Sequence, residues 1–253
     1  MFNKKVLYEG SSDFSHYKIV DTVYDGRKSR LLFGGHNTPQ SGLALDDAPH
    51  LLFDYNQRFL EIAQSLHPGK VLLIGGGTLT LPKAMLERFT NIDIDVVELD
   101  PLLPVLAHRY FKVKEDARLH VYIDEGRHYL DQAKGKYDLI VVDAFNEFTI
   151  PRPLYTVGAV KHYARLLKKD GVLAMNFIAS YHGYKKTLTH ELVATFCTGF
   201  QAVSLYPADH TYTTKYDQNL LLVASQKEDV PLDYLQSETV ELESMPDDAI
   251  VMD

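Results

Sequence analysis

From Lys70 onward, short apolar runs alternate with stretches of helical length, and this rhythm constrains the fold more than any other feature of the chain. The runs are Val71-Leu72-Leu73-Ile74, Ile94–Val97, His120–Ile123, Leu139–Val142 and Val172–Phe177. Between them, helices are predicted near Leu79–Phe89, Pro101–Phe111, Arg127–Ala133 and Tyr155–Lys168. Strands that read as continuous apolar runs are buried on both faces, and helical crossovers make their neighbours parallel. The chain has 253 residues, 45% of them hydrophobic, enough to fill the core such a sheet requires.

The rhythm changes at the end. A helix is predicted near Lys186–Cys197, then a strand at Ala202–Tyr206. Pro207–Gln218 is polar and lacks helical period, and Leu220–Val223 follows. Without a crossover helix, two neighbouring strands pair most simply as an antiparallel hairpin. The expected fold is therefore α/β: a class I methyltransferase-like Rossmann sheet, mostly parallel and seven-stranded, with an antiparallel last strand. Ahead of it, Tyr17–Tyr24 and Ser29–Phe33 flank Asp25-Gly26, a hairpin turn signal, and predict a small N-terminal β unit. A helix is expected between Asp46 and His67, capped by Asp46 or Asp47 and stopped by Pro68-Gly69. The expected organisation is a β-hairpin unit over 1–45, a nucleotide-binding catalytic domain over 46–225 and an acidic tail over 226–253.

Composition removes several function classes. The net charge of −8 lies entirely in residues 226–253, which hold nine acids and the single base Lys227, so residues 1–225 are neutral. A neutral body with an acidic tail offers no basic face for nucleic acid, and the tail reads as a solvated or loosely docked end. No run of about 18 apolar residues predicts a membrane span, and the opening residues lack the apolar stretch of a signal peptide, which gives a cytoplasmic expectation. One cysteine, Cys197, rules out a disulfide framework and is expected in the core. The eleven histidines include no close pair at helical metal-ligand spacing, so no metal is expected.

The candidate site follows from the strand ends, where ligands gather in parallel sheets. Gly75-Gly76-Gly77 sits between the first strand and a helix, where the backbone turns tightly and admits a ligand without side chains in the way. Glu98 ends the next strand, where an acid accepts bonds from ribose hydroxyls. An NAD domain shares both features, so the pair alone does not choose the cofactor. Asp124-Glu125-Gly126 follows the third strand, where a carboxylate could meet an adenine amino group, and Asp143-Ala144-Phe145-Asn146 follows the fourth. Four successive strand ends bearing Gly, Glu, Asp/Glu and Asp are hard to explain by packing, since acids are among the least buried residues. Together with the terminal hairpin they favour an S-adenosylmethionine-type nucleotide.

These residues resemble the polyamine aminopropyltransferases, the spermidine and spermine synthases, and their spermidine synthase-like relatives over roughly Ser15–Ser225. Ile74–Gly77 is similar to the family's first motif, and Val97-Glu98-Leu99-Asp100 to the stretch whose Glu holds the ribose. Glu125-Gly126-Arg127 resembles the segment whose acid binds adenine. Val142–Phe145, with Ile150-Pro151 and Leu154-Tyr155-Thr156, resembles the Asp-Ala-Phe form of the catalytic loop. Ser15-His16-Tyr17 and Gln40-Ser41-Gly42 are similar to the N-terminal β unit that partly covers the active site, and Asn219–Ser225 fits the last strand.

The resemblance implies aminopropyl transfer to a polyamine or related small amine, with decarboxylated S-adenosylmethionine or S-adenosylmethionine as co-substrate, no metal and a homodimer. It assigns catalysis to Asp143. Nucleotide binding falls to Gln40, Gly75, Gly76, Gly77, Thr78, Glu98, Asp124, Glu125 and Gly126, and the substrate side to Tyr17 and Asn146. The chain departs from the pattern at Thr78, where the family carries an Asp that contacts the donor's amine, at Asn146, where a second Asp stands, and at Lys18, which replaces a Gln. The alternatives are methyl or aminocarboxypropyl transfer from intact S-adenosylmethionine, and a non-catalytic nucleotide-binding protein.

Overall fold

A computed structural model describes residues 4–35, 37–46, 51–146, 149–209, 215–227 and 249–253. The chain opens with four antiparallel strands in sequential order: β1 (Lys5–Ser11), β2 (His16–Tyr24), β3 (Arg27–Gly34) and β4 (Pro39–Ala44). Asp25 and Gly26 turn the β2–β3 hairpin with φ of 47° and 73°, the left-handed pair that a two-residue hairpin loop demands. The predicted hairpin is thus the middle of a four-stranded sheet. β1 is a half-exposed edge strand without clean alternation, and β4 begins with Pro39 and contains Gly42, both of which read as loop. Gly42 gives its neighbours room: a Cβ would lie 2.8 Å from Leu52 Cδ1 and 2.9 Å from Leu31 Cδ2.

Helix α1 (Asp54–Leu66) follows, beginning later than expected, with Phe53 at its N-cap and no side-chain cap bond. Asp46 lies in a bend eight residues upstream, and Asp47 falls outside the described residues. The apolar residues Leu51 and Leu52 precede the helix and pack from a non-helical segment, so the period read through them overextended it.

The main sheet comprises β5 (Lys70–Ile74), β6 (Asp93–Glu98), β7 (Leu119–Ile123), β8 (Tyr137–Val142), β9 (Leu167–Ala179), β10 (Ala202–Pro207) and β11 (Gln218–Ser225). Its order is β10-β11-β9-β8-β5-β6-β7. The last strand, β11, runs antiparallel to both neighbours and is inserted between β9 and β10. The connecting helices are α2 (Thr80–Arg88), α3 (Leu102–Tyr110), α4 (Gly126–Gln132), α5 (Val157–Leu166) and α6 (Lys186–Cys197). Alternation along each strand splits the core into two layers. Val71, Leu73, Ile94, Val96, Leu139 and Val141 pack with α1, α2, α3 and the N-terminal sheet. Leu72, Ile74, Val97, Ile140 and Val142 pack with α4, α5 and α6.

One expectation is corrected at α6. Cys197 is exposed: the helix buries Leu192, Val193 and Phe196, and the next residue is rotated about 100° away from that face. Over its described residues 249–253 the end of the acidic segment is docked, the second of the two states expected for it. Ala249 and Val251 are buried, the Val157 amide donates to the Val251 carbonyl at 2.8 Å, and the Val251 amide donates to Thr195 Oγ1 at 3.0 Å. Asp253 accepts from Arg127 and Thr156, each at 2.7 Å. Apolar side chains at alternate positions anchor this strap despite the charge around them. Among the described residues no helix is long and apolar enough to cross a membrane.

Candidate active site

The turns after β5 and β8 are laced together by backbone. The Asp143 amide donates to the Ile74 carbonyl at 2.8 Å and the Gly75 amide to the Val97 carbonyl at 2.9 Å. Gly75 has φ of 92°, and a Cβ on it would lie 2.2 Å from the Asp143 carbonyl oxygen, so only glycine fits. Gly77 is also left-handed, and Leu79, at φ 55°, turns the chain into α2.

Glu98 is 7% exposed and spends its carboxylate on this turn. One oxygen accepts the Gly76 and Gly77 amides, both at 2.8 Å, and the other accepts the Asp100 amide at 3.0 Å. Burial raises its pKa above the ordinary carboxylate range, and the backbone donors oppose that rise. An ionised carboxylate has about four acceptor positions, so a ribose hydroxyl bound here would share a group that already braces the loop. Asp100, 2% exposed, accepts the Tyr17 hydroxyl at 2.8 Å, the Leu102 amide at 2.9 Å and the Ser12 hydroxyl. Thr78 is fully buried and hydrogen-bonded to Ser41 of β4. The N-terminal sheet is therefore latched to the turns after β6 and β5 by Tyr17–Asp100 and Ser41–Thr78.

At the third strand end, Glu125 caps α4 by accepting the His128 amide at 2.9 Å, while Asp124 faces His128 Nδ1 at 2.7 Å. Gly126 packs so closely that a Cβ would meet Ile74 at 2.8 Å. Leu99 and Ile123, the residues after Glu98 and before Asp124, leave 43% and 51% of their surface exposed, so apolar surface is open beside each of the two acids.

Asp143 is partly exposed and accepts a 2.9 Å hydrogen bond from Asn176 Nδ2 on β9. Burial pushes its carboxyl up to about 6, and the Asn176 bond works against that rise. Tyr55 of α1 shares the enclosure: burial raises its hydroxyl pKa well above the ordinary value, and the Asp143 charge adds to the rise. Its ring stacks on Phe53 at 5.8 Å, which meets Tyr24 edge-on at 5.6 Å.

A sequence profile of the spermine/spermidine synthase domain matches residues 52–233. The chain belongs to the spermine/spermidine synthase family. It is similar to the polyamine aminopropyltransferase of Vibrio vulnificus, with 37% identity over 112 residues covering 43% of this chain and 38% of that one. It is also similar to the enzyme of that name from Alkaliphilus oremlandii, at 27% identity over 92% of this chain and 80% of the relative. The chain covers less than two thirds of the length of most of its strongest curated matches. A probable spermidine synthase from Corynebacterium glutamicum superposes with a TM-score of 0.77 over 92% of this chain and 84% of that one; at 18% identity it supports the fold.

Within this family frame, the structure joins Gly75, Gly76, Gly77, Glu98 and Asp143 directly. Gln40 instead lies over Gly34, its side-chain amide 3.5 Å from the Gly34 carbonyl. Asn146 is exposed and closes a small turn with Thr149. Neither bonds to another of the predicted site residues among those described. Sequence reasoning missed Asn176, Tyr55, Ser41 and His128 as partners of the site. Tyr55 sat on the apolar face of a helix and Asn176 inside an apolar strand; a polar residue in a run otherwise buried on both faces is the signal that could have found the latter.

The one grouping with metal-ligand geometry among the described residues is Asp93, Asp95 and His120. It lies at the opposite ends of these strands, and Lys70 already supplies the cation, 3.3 Å from Asp95 and 3.6 Å from Asp93.

Proposed function

We propose that the protein transfers an aminopropyl group from decarboxylated S-adenosylmethionine to a small amine, in the cytoplasm, as a homodimer. The observation that carries this reading is the place of Asp143: a strand-end carboxylate packed backbone to backbone against the Gly75 turn and held by the buried Asn176 amide, with burial pushing its carboxyl up to about 6. The names of the curated relatives support it. The residues present are compatible with that donor: a Cβ on Gly77 would have only Ser41 within 4 Å, which leaves the turn open on that side, and Glu98 accepts three backbone amides out of about four acceptor positions, which leaves capacity for a ribose hydroxyl. When bound, it supplies a sulfonium whose neighbouring carbon is open to attack.

The chain's own task is to present a neutral amine nitrogen. An alkylammonium has a pKa near 10.4, so an ordinary carboxylate is short of abstracting its proton by about 9 kcal/mol. Burial of Asp143 narrows that gap to about 6 kcal/mol while leaving the group mostly ionised at neutral pH. Asp143 then orients the ammonium, stabilises positive charge at nitrogen and passes the proton on to solvent through its exposed edge. Turnover of decarboxylated S-adenosylmethionine and putrescine to methylthioadenosine tests the proposal; no product across a panel of amines, with tight nucleotide binding retained, sinks it.

One observation favours a second reading for the donor. Thr78 is fully buried on Ser41, so residue 78 offers no carboxylate to a donor amine. Intact S-adenosylmethionine, with methyl or aminocarboxypropyl transfer, is the corresponding alternative. Calorimetry with both donors separates them: equal affinities favour the second reading.

A further inference from the structure

Asn176 stands in the middle of β9 and is 1% exposed. Val142 and Met175 are register partners on β8 and β9, which brings the next residue on each strand, Asp143 and Asn176, into reach. The amide donates from Nδ2 to Asp143 Oδ1, and its own Oδ1 is buried without a partner. A buried amide carbonyl left unpaired is unfavourable, so this orientation persists because the other one is worse. Turned over, Asn176 would set its carbonyl against an ionised carboxylate. It would be favourable only if Asp143 carried a proton to donate.

The surroundings leave this choice to the amide. β5 contributes backbone, through the Ile74 carbonyl and the close approach of Gly75, and α1 contributes Tyr55, which is neutral at these pH values. Among the described residues no Lys, Arg or His pairs with Asp143. We infer that Asn176 is a positioning residue for Asp143: its amide fixes the rotation of the carboxylate and selects its ionised state, and turns over when that carboxylate takes up a proton. The inference gives the proposed aminopropyl transfer a residue that keeps its acceptor-side carboxylate in working form, and it rests on that reading only for its consequence in turnover.

Two measurements test it without turnover. In Asn176→Leu, which keeps the volume but has no donor, NMR of the Asp143 carboxyl carbon should show a titration midpoint about one pH unit higher, a tenfold change in the protonation equilibrium. Asn176→Gln, which retains a donor, should restore the parent midpoint at least in part. Should the Leu variant fail to fold, the unsubstituted protein decides: the Asn176 side-chain NH2 resonances should move with pH at the Asp143 midpoint. An unchanged midpoint in folded Asn176→Leu, or Asn176 resonances indifferent to pH between about 4 and 8, overturns the inference. If turnover is present, the acid limb of kcat in Asn176→Leu follows the carboxyl midpoint while KM for the nucleotide holds. A moved midpoint in a protein with no aminopropyl transfer upholds the positioning role and removes the proposed function.

Discussion

The turn after β5 and the turn after β8 touch along their backbones, yet they treat polar groups in opposite ways. In the first, the Gly76 and Gly77 amides meet Glu98, and Glu98 itself is braced by the Asp100 amide. In the second, the Asp143 carboxyl has one side-chain amide donor, and that donor's own carbonyl has no partner among the described residues. The difference separates a turn whose polar groups brace one another from one whose carboxylate is left with a single side-chain partner. Unfavourable local arrangements persist at functional sites because the surrounding structure overdetermines them, and the glycine turn is that surrounding structure for Asp143.

The comparison breaks most completely at Gly75. Gly75→Ala places a Cβ against the Asp143 carbonyl in a left-handed backbone, and should cost more than about 3 kcal/mol and abolish nucleotide binding. Thermal unfolding with nucleotide calorimetry checks it; a soluble variant of parental stability contradicts the packing described.

Asp143→Asn should separate the two turns. Turnover should fall by about 10² to 10⁴, with nucleotide affinity retained, while stability at neutral pH rises. The folded pKa of Asp143 lies above its unfolded value, so its favourable contribution is full below about pH 4 and lost as pH rises through about 6. Neutralising it should recover on the order of 2 kcal/mol at pH 7 and flatten the stability profile between those values. Chemical denaturation across pH, compared with the parent, decides; a loss of stability at pH 7 would refute the burial argument.

Glu98→Gln tests the first turn alone. An amide cannot accept on both ends, so one of the Gly76, Gly77 and Asp100 donors loses its partner, at about 1 to 3 kcal/mol. Weakened nucleotide binding with an unmoved acid limb of kcat would confirm that the two turns work independently.

The smallest effect is expected at the latch. Tyr17→Phe removes one hydroxyl bond to Asp100 and should cost about 1 kcal/mol, leaving KM for the amine within about twofold. A large rise in that KM would instead place Tyr17 on the substrate, as the family resemblance implies.

Much of this was legible in sequence because it is local. Continuous apolar runs and 3.6-residue periods gave the strands and helices of the main sheet, Asp25-Gly26 gave the hairpin, and glycines after a strand gave the turn. Each signal lies within a few residues of what it predicts. β1 and β4 escaped because an edge strand and a Pro/Gly strand carry no such period, and Cys197 was misplaced because one residue decides which helix face looks inward.

What the tertiary structure alone decided was how polar groups are partnered across long separations. Tyr17 meets Asp100, Ser41 meets Thr78 and Asn176 meets Asp143 across 83, 37 and 33 residues of chain. A strand's pattern states that it is buried, not which strand lies beside it; the insertion of β11 between β9 and β10 is of the same kind. The sequence determined which acids stand at the strand ends. The packing of one strand against another determined which of them are spent on bracing the turns and which one, Asp143, is partnered by a single buried side-chain amide.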